Sequence, residues 1–259
     1  MSILEYQDFI NVDFPSVINE RRQNIYPALI DQQAMTVIIG AKCSDGIVLI
    51  ADRKLTMKNG EPQYREKIFG DLHVLIGYCG DVQMFDIFRR YTVGDIMIER
   101  DTHKRYNLEN LLSKISGSIK LFNGLVDCRP FKVLMVSHQE KPLELYHIDD
   151  GGNSNKVLNG YMAIGSGKEI ADMFCGTLDH NNIRMREFIK HAYTAVIFMN
   201  TYCPALGVGV EHDRIPDIKY LYYDQEWDKE PARDTPKDIE DCKNYANEKL
   251  EQLKRDINQ

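Results

Sequence analysis

Two apolar runs, Val37-Ile38-Ile39-Gly40-Ala41 and Ile47-Val48-Leu49-Ile50-Ala51, are separated by a few residues ending in the turn signal Ser44-Asp45-Gly46. A tight Asp-Gly turn between two such runs is a strong hairpin signal. Its flanks are polar in a specific way. Thr36 stands just before the first run, and Asp52-Arg53-Lys54 closes the second. A lone lysine follows in Lys67-Ile68-Phe69, and the stretch ends Gly77-Tyr78-Cys79-Gly80-Asp81-Val82-Gln83. This layout suits a Thr36 that, once freed at its amine, acts as a nucleophile with Asp52 and Lys67 beside it.

Further strands are expected at Val74 to Gly77, Phe131 to Ser137 and Leu143 to Ile148, each short, apolar and bounded by Gly, Pro, Asp or Asn. Leu108, Leu111, Leu112, Ile115, Ile119 and Phe122 recur at helical spacing. Met84, Phe85, Phe88 and Tyr91 form a second stripe, and Phe188, Ile189, Ala192, Tyr193, Val196 and Ile197 a third. Strands come in hairpins and helices in pairs, which points to an α+β chain rather than a βαβ repeat. A further helix is expected in the tail from about Trp227, with Thr235 as cap, Pro236 in its first position and Asp238 in its first turn. Its stripe of Ile239, Cys242, Ala246, Leu250, Leu253 and Ile257 suits docking on the body of the protein or on a partner. Residues 1–35 show no sustained period.

The 259 residues suit one domain with an added segment, and 43% hydrophobic residues suffice for a sizeable core. A net charge of −7 without a basic stretch argues against a nucleic-acid partner. No apolar run approaches the roughly 20 residues of a membrane helix, and the N-terminus lacks the basic and apolar regions of a signal peptide. A soluble, cytoplasmic protein is expected. Its six cysteines (Cys43, Cys79, Cys128, Cys175, Cys203, Cys242) have no C-x-x-C spacing and read as reduced, mostly buried thiols.

Together the landmarks resemble the proteasome family of N-terminal-nucleophile hydrolases, and a divergent β-type subunit in particular. The resemblance rests on Thr36-x-x-x-Gly40, the strand Asp45 to Arg53, Lys67-Ile68-Phe69 and Gly80-Asp81-x-Gln83. It continues through Ile148-Asp149-Asp150-Gly151-Gly152 and Tyr161-Met162-Ala163-Ile164-Gly165-Ser166-Gly167. It implies a four-layer αββα sandwich over residues 36–224, after an extension or propeptide at 1–35 and before a charged helical tail at 225–259. It further implies a threonine-type endopeptidase subunit needing no cofactor. Such a subunit would act on peptide or unfolded protein within a homo- or hetero-oligomeric ring of proteasome-type subunits.

Residue by residue, the resemblance makes Thr36 the nucleophile, with Lys67 and Asp52 as its electrostatic partners. Gly77 matches the glycine whose N–H faces the developing oxyanion, and Ser166 the serine near the nucleophile's amine. Leu75 and Cys79 fall where the family lines the pocket for the side chain before the cut, which favours apolar or aromatic residues there. The free amine of an N-terminal threonine can itself take the hydroxyl proton, since its ordinary pKa is near 8.

Two departures bear on activity. The family's leader ends in glycine, where this chain has Met35. Three outcomes follow: cleavage that accepts Met35, initiation at Met35 with later loss of the methionine, or a Thr36 that stays mid-chain in a non-catalytic, α-like subunit. The family's Asp-x-x-Ser pair has its nearest match in Asn200-Thr201-Tyr202-Cys203, although Gly207-Val208-Gly209-Val210 also suits that turn. Gly165-Ser166-Gly167-Lys168 is not a phosphate loop, because Met162 stands where the first glycine is required and Glu169 follows the lysine. Glu211-His212-Asp213 has no second cluster at ligand spacing, so it reads as a solvated turn and no metal is expected.

Overall fold

The computed structural model describes residues 36–56, 62–70, 73–80, 108–123, 131–137, 143–203, 206, 208–210, 216–223 and 236–257. The stripe Met84 to Tyr91, Asp81, Gln83, Cys128, Thr235 and Glu211-His212-Asp213 lie outside these residues.

The hairpin forms as its turn requires. Strand β1 (Val37–Cys43) pairs antiparallel with β2 (Gly46–Ala51), with Cys43 opposite Gly46 and Ser44-Asp45 between them. Strands β3 (Lys54–Thr56) and β4 (Pro62–Tyr64) make a small separate ribbon. Then come β5 (Ile68–Gly70), β6 (Val74–Cys79), β7 (Lys132–Ser137), β8 (Glu144–Ile148), β9 (Ser154–Lys156), β10 (Tyr161–Gly165) and β11 (Asp217–Tyr222). One antiparallel sheet has the order β10-β1-β2-β11 and the other β5-β6-β7-β8-β9. The described helices are α1 (Leu108–Asn123), α2 (Lys168–Cys175), α3 (Met185–Tyr202) and α4 (Pro236–Ile257).

Strand side chains alternate between two cores, as a period of two demands. Ile38, Leu49, Leu75, Leu134 and Leu145 meet between the sheets. Val37, Ile39, Ala41, Val48 and Ile50 face the opposite way, against Phe188, Ala192, Val196 and Met199 of α3. On the far face of the other sheet, Val74, Ile76, Val133 and Met135 pack with Leu111, Ile115 and Ile119 of α1. The layers are therefore helix, sheet, sheet, helix: the αββα sandwich. Each buried Leu or Ile contributes roughly 1.5–3 kcal/mol relative to exposure, which is why strands this apolar need cover on both faces. Helix α4 lies along α3, with Cys242 and Ala246 in the helical core and Leu250 beside Phe198 and Cys203. Arg186 of α3 ties its start by pairing with Asp238 at 2.9 Å and Asp241 at 2.7 Å.

One core histidine makes stability depend on pH. The His180 ring stacks on Tyr161 with centroids 5.1 Å apart, beside Phe188, and both its ring nitrogens are buried without a hydrogen-bond partner. Burial pushes its pKa below the ordinary 6.5, against the opposing pull of Asp179. The unfolded chain then binds the proton more readily than the folded one, so stability falls as pH drops below about 6.5. Urea denaturation at pH 7.5 and pH 5.5 is expected to show this loss, and His180→Phe is expected to reduce it.

Candidate active site

Antiparallel pairing gathers four strand ends at one edge of the first sheet. Strand β1 begins where β2 and β10 end and where β11 starts, with Val37 opposite Gly165 and Asp217 opposite Ala51. Thr36, Asp52, Ser166 and Asp217 are thereby brought together from positions 36 to 217. Lys67 precedes β5 of the other sheet and reaches across. Gly165 is needed at this edge: its φ is +96°, and a Cβ there would come 2.2 Å from the Thr36 carbonyl oxygen.

Thr36, Asp52 and Lys67 form one hydrogen-bonded group. The Thr36 hydroxyl donates to Asp52 Oδ1 at 2.5 Å. Lys67 Nζ donates to Thr36 Oγ1 at 2.5 Å, to Asp52 Oδ1 at 2.8 Å and to the Lys54 carbonyl at 2.7 Å. The Asp52 carboxylate also accepts the backbone N–H groups of Val37, Lys54 and Gly209, at 2.9, 3.1 and 3.2 Å. All three side chains are sealed from water, at 4%, 0% and 1% exposure. Buried charge is costly unless it is paired and fully hydrogen-bonded, and here it is both. Burial pushes the Lys67 ammonium below the ordinary lysine range, while the Asp52 carboxylate pulls the other way.

Ser166 meets both polar groups of the Thr36 main chain. The Thr36 N–H donates to Ser166 Oγ at 3.1 Å. The serine's single hydroxyl proton has two acceptors in reach, the Leu206 carbonyl at 2.9 Å and the Thr36 carbonyl at 3.2 Å. Asn200 and Tyr202, in the stretch read as the nearest match to an Asp-x-x-Ser pair, belong to the last turn of α3. Asn200 Oδ1 packs against Gly209, where an added Cβ would approach it to 2.2 Å. The group that meets Ser166 from this side is thus a main-chain carbonyl, which no side-chain pattern discloses.

Gly77, Leu75 and Cys79 share the inward face of β6. Gly77 pairs with Ile68, the residue after Lys67, and a Cβ on it would come 2.7 Å from Ile38 Cγ2. Leu75 and Cys79 are buried beside Ile38 and Ile68 in the core between the sheets. Desolvation pushes the Cys79 thiol up to about 12, so it stays protonated at neutral pH.

A fourth buried polar side chain, Asp217, escaped the sequence reading. Its Oδ2 accepts the backbone N–H of Lys67 at 2.9 Å and of Ile68 at 2.7 Å. Among the described residues no group of three or more His, Cys, Asp or Glu is placed to hold a metal ion. No helix among them is long and apolar enough to cross a membrane.

Comparison with known proteins supplies an independent finding. The family described as proteasome subunit matches residues 33–200. A proteasome subunit alpha from Pyrococcus horikoshii is 26% identical over 207 residues, covering 78% of each chain. A proteasome subunit alpha from Thermococcus sibiricus is 30% identical over 162 residues, 61% of each chain. A proteasome subunit beta 2 from Pyrococcus abyssi is 28% identical over 166 residues, covering 62% of this chain and 77% of that one.

Proposed function

This chain belongs to the proteasome subunit family, and on that premise we propose that it is a threonine-type peptidase subunit whose nucleophile is Thr36. The observation that carries this reading is the buried Thr36 hydroxyl held between the Lys67 ammonium and the Asp52 carboxylate. A threonine needed only for packing does not require a lysine brought from the other sheet at the cost of desolvation.

The reaction proposed for this site runs as an acyl transfer. The freed α-amine of Thr36, beside Ser166, takes the hydroxyl proton as Oγ1 attacks the substrate carbonyl carbon. The C–O bond forms while the carbonyl electrons move to oxygen, where the Gly77 N–H is assigned as donor. Collapse of that intermediate breaks the C–N bond, and the departing nitrogen receives the proton. Water then attacks the ester, releases the acid and restores the hydroxyl. Lys67 stabilises the developing alkoxide by its charge, and Asp52 holds Lys67. The resemblance assigns Leu75 and Cys79, both buried in the core between the sheets, to the pocket for an apolar side chain before the cut. The subunit works within a ring of proteasome-type subunits, on peptide or unfolded protein.

A second reading, a non-catalytic structural subunit, is favoured by Met35 in the place of the leader's glycine and by relatives named alpha. Intact mass and N-terminal sequencing of the protein expressed from Met1 separate the two. The expected result is a chain beginning at Thr36 that cleaves apolar fluorogenic peptides. A chain that stays uncut and inert after assembly, and is equally inert when begun at Met35 and trimmed to Thr36, would establish the structural reading instead. Adding amine acceptors to the same assay distinguishes hydrolysis from ligation.

A further inference from the structure

We propose that Asp217 is a positioning residue, which sets the reach of Lys67 to the Thr36 hydroxyl by fixing the main chain on both sides of the lysine's Cα; this rests on the peptidase reading above. The two amides that flank that Cα are those of Lys67 and Ile68, and a single carboxylate oxygen of Asp217 accepts both. Asp217 is 4% exposed, so these bonds form without competition from water.

Its place in the fold explains why it suits this task. Asp217 opens β11 and lies opposite Ala51, the residue before Asp52. One side chain therefore couples the strand that delivers Asp52 to the segment that delivers Lys67. A third tie comes from the same strand, where Lys219 Nζ donates to the Ile68 carbonyl at 2.7 Å. Lys67 is long and starts on the opposite sheet, so a small shift of its main chain is passed directly to Nζ. Displacement of about 1 Å in a catalytic group can cost roughly 10²-fold in rate. Asp217 bonds the main chain of Lys67 and Ile68, and its effect on Thr36 passes through Lys67.

Three variants of the Thr36-initiated protein test this. Asp217→Asn keeps an acceptor oxygen in place and is expected to hold kcat within about threefold of wild type. Asp217→Glu keeps the charge but moves the acceptor by one methylene, and is expected to lower kcat about tenfold with KM within about twofold. Asp217→Ala is expected to lose more, again in kcat rather than KM. The second readout is the ¹⁵N resonance of Lys67 Nζ, expected to move in the Glu variant and stay in the Asn variant. An Asn variant as impaired as the Glu variant would overturn the proposal, because charge rather than acceptor position would then matter. So would a Glu variant with unchanged kcat and an unmoved Lys67 resonance. Failure of the peptidase reading looks different: the wild type itself would be inert. The resonance would then decide the positioning role alone.

Discussion

Thr36→Ala is expected to lower kcat/KM for peptide cleavage by at least ~10⁴-fold, the scale seen when a covalent nucleophile is removed. The fold should survive this change. Thr36 Oγ1 takes part in two hydrogen bonds, one to Asp52 and one from Lys67, and each is worth a net ~0.5–1.5 kcal/mol, or more where charged. Its Cγ2 is apolar filling at a strand end. Circular dichroism and the melting temperature should therefore change modestly while activity disappears. Thr36→Ser, which restores the hydroxyl, should recover measurable turnover. If the chain frees its own threonine, the alanine variant also keeps residues 1–35, visible as an unshortened mass. Full activity in Thr36→Ala would place the nucleophile elsewhere and end the threonine reading.

Much of this group could be read from the sequence because its members sit at the ends of strong strand signals. Thr36 and Asp52 flank the two apolar runs joined by the Asp45-Gly46 turn, and Lys67 stands just before the short run that opens β5. Antiparallel geometry then left few places for them to go. What escaped the reading did so for physical reasons. Helix α2 is only eight residues long and follows Gly165-Ser166-Gly167, so its stripe was too short to register. Strand β11 carries Lys219 in its middle, where the lysine is anchored to the Ile68 carbonyl rather than to solvent. A lysine inside a strand run reads as an interruption until that carbonyl is seen. Asp217 and the Leu206 carbonyl act on or through main-chain groups, and every residue has those. Sequence reveals chemistry carried by side chains, whereas chemistry lent by the backbone appears only after folding.

The largest stability effect is expected at Asp52. Asp52→Ala leaves the Lys67 ammonium 1% exposed without its counter-ion, a change that costs roughly 3–5 kcal/mol for buried pairs. It also takes the carboxylate acceptor from the N–H groups of Val37 and Gly209, while the Lys54 N–H keeps the Gly209 carbonyl at 3.0 Å. Without Asp52 the largest offset to the desolvation that already pushes Lys67 below the ordinary lysine range is lost, and only the weaker pulls of Cys79 and Asp217 remain. The unfolded chain then binds the lysine proton more tightly than the folded one, so stability of the variant should rise as pH climbs toward about 10. Urea denaturation at pH 6 and pH 9 reads this directly, and the variant should gain more than wild type. Pairing the change with Lys67→Met removes the stranded charge and should restore part of the lost stability, though none of the activity. A double variant no more stable than Asp52→Ala would mean that the orphaned amides, rather than the ammonium, carry the cost. Stability independent of Asp52 would mean the pair is solvated, and the electrostatic role given to Lys67 would then lose its basis.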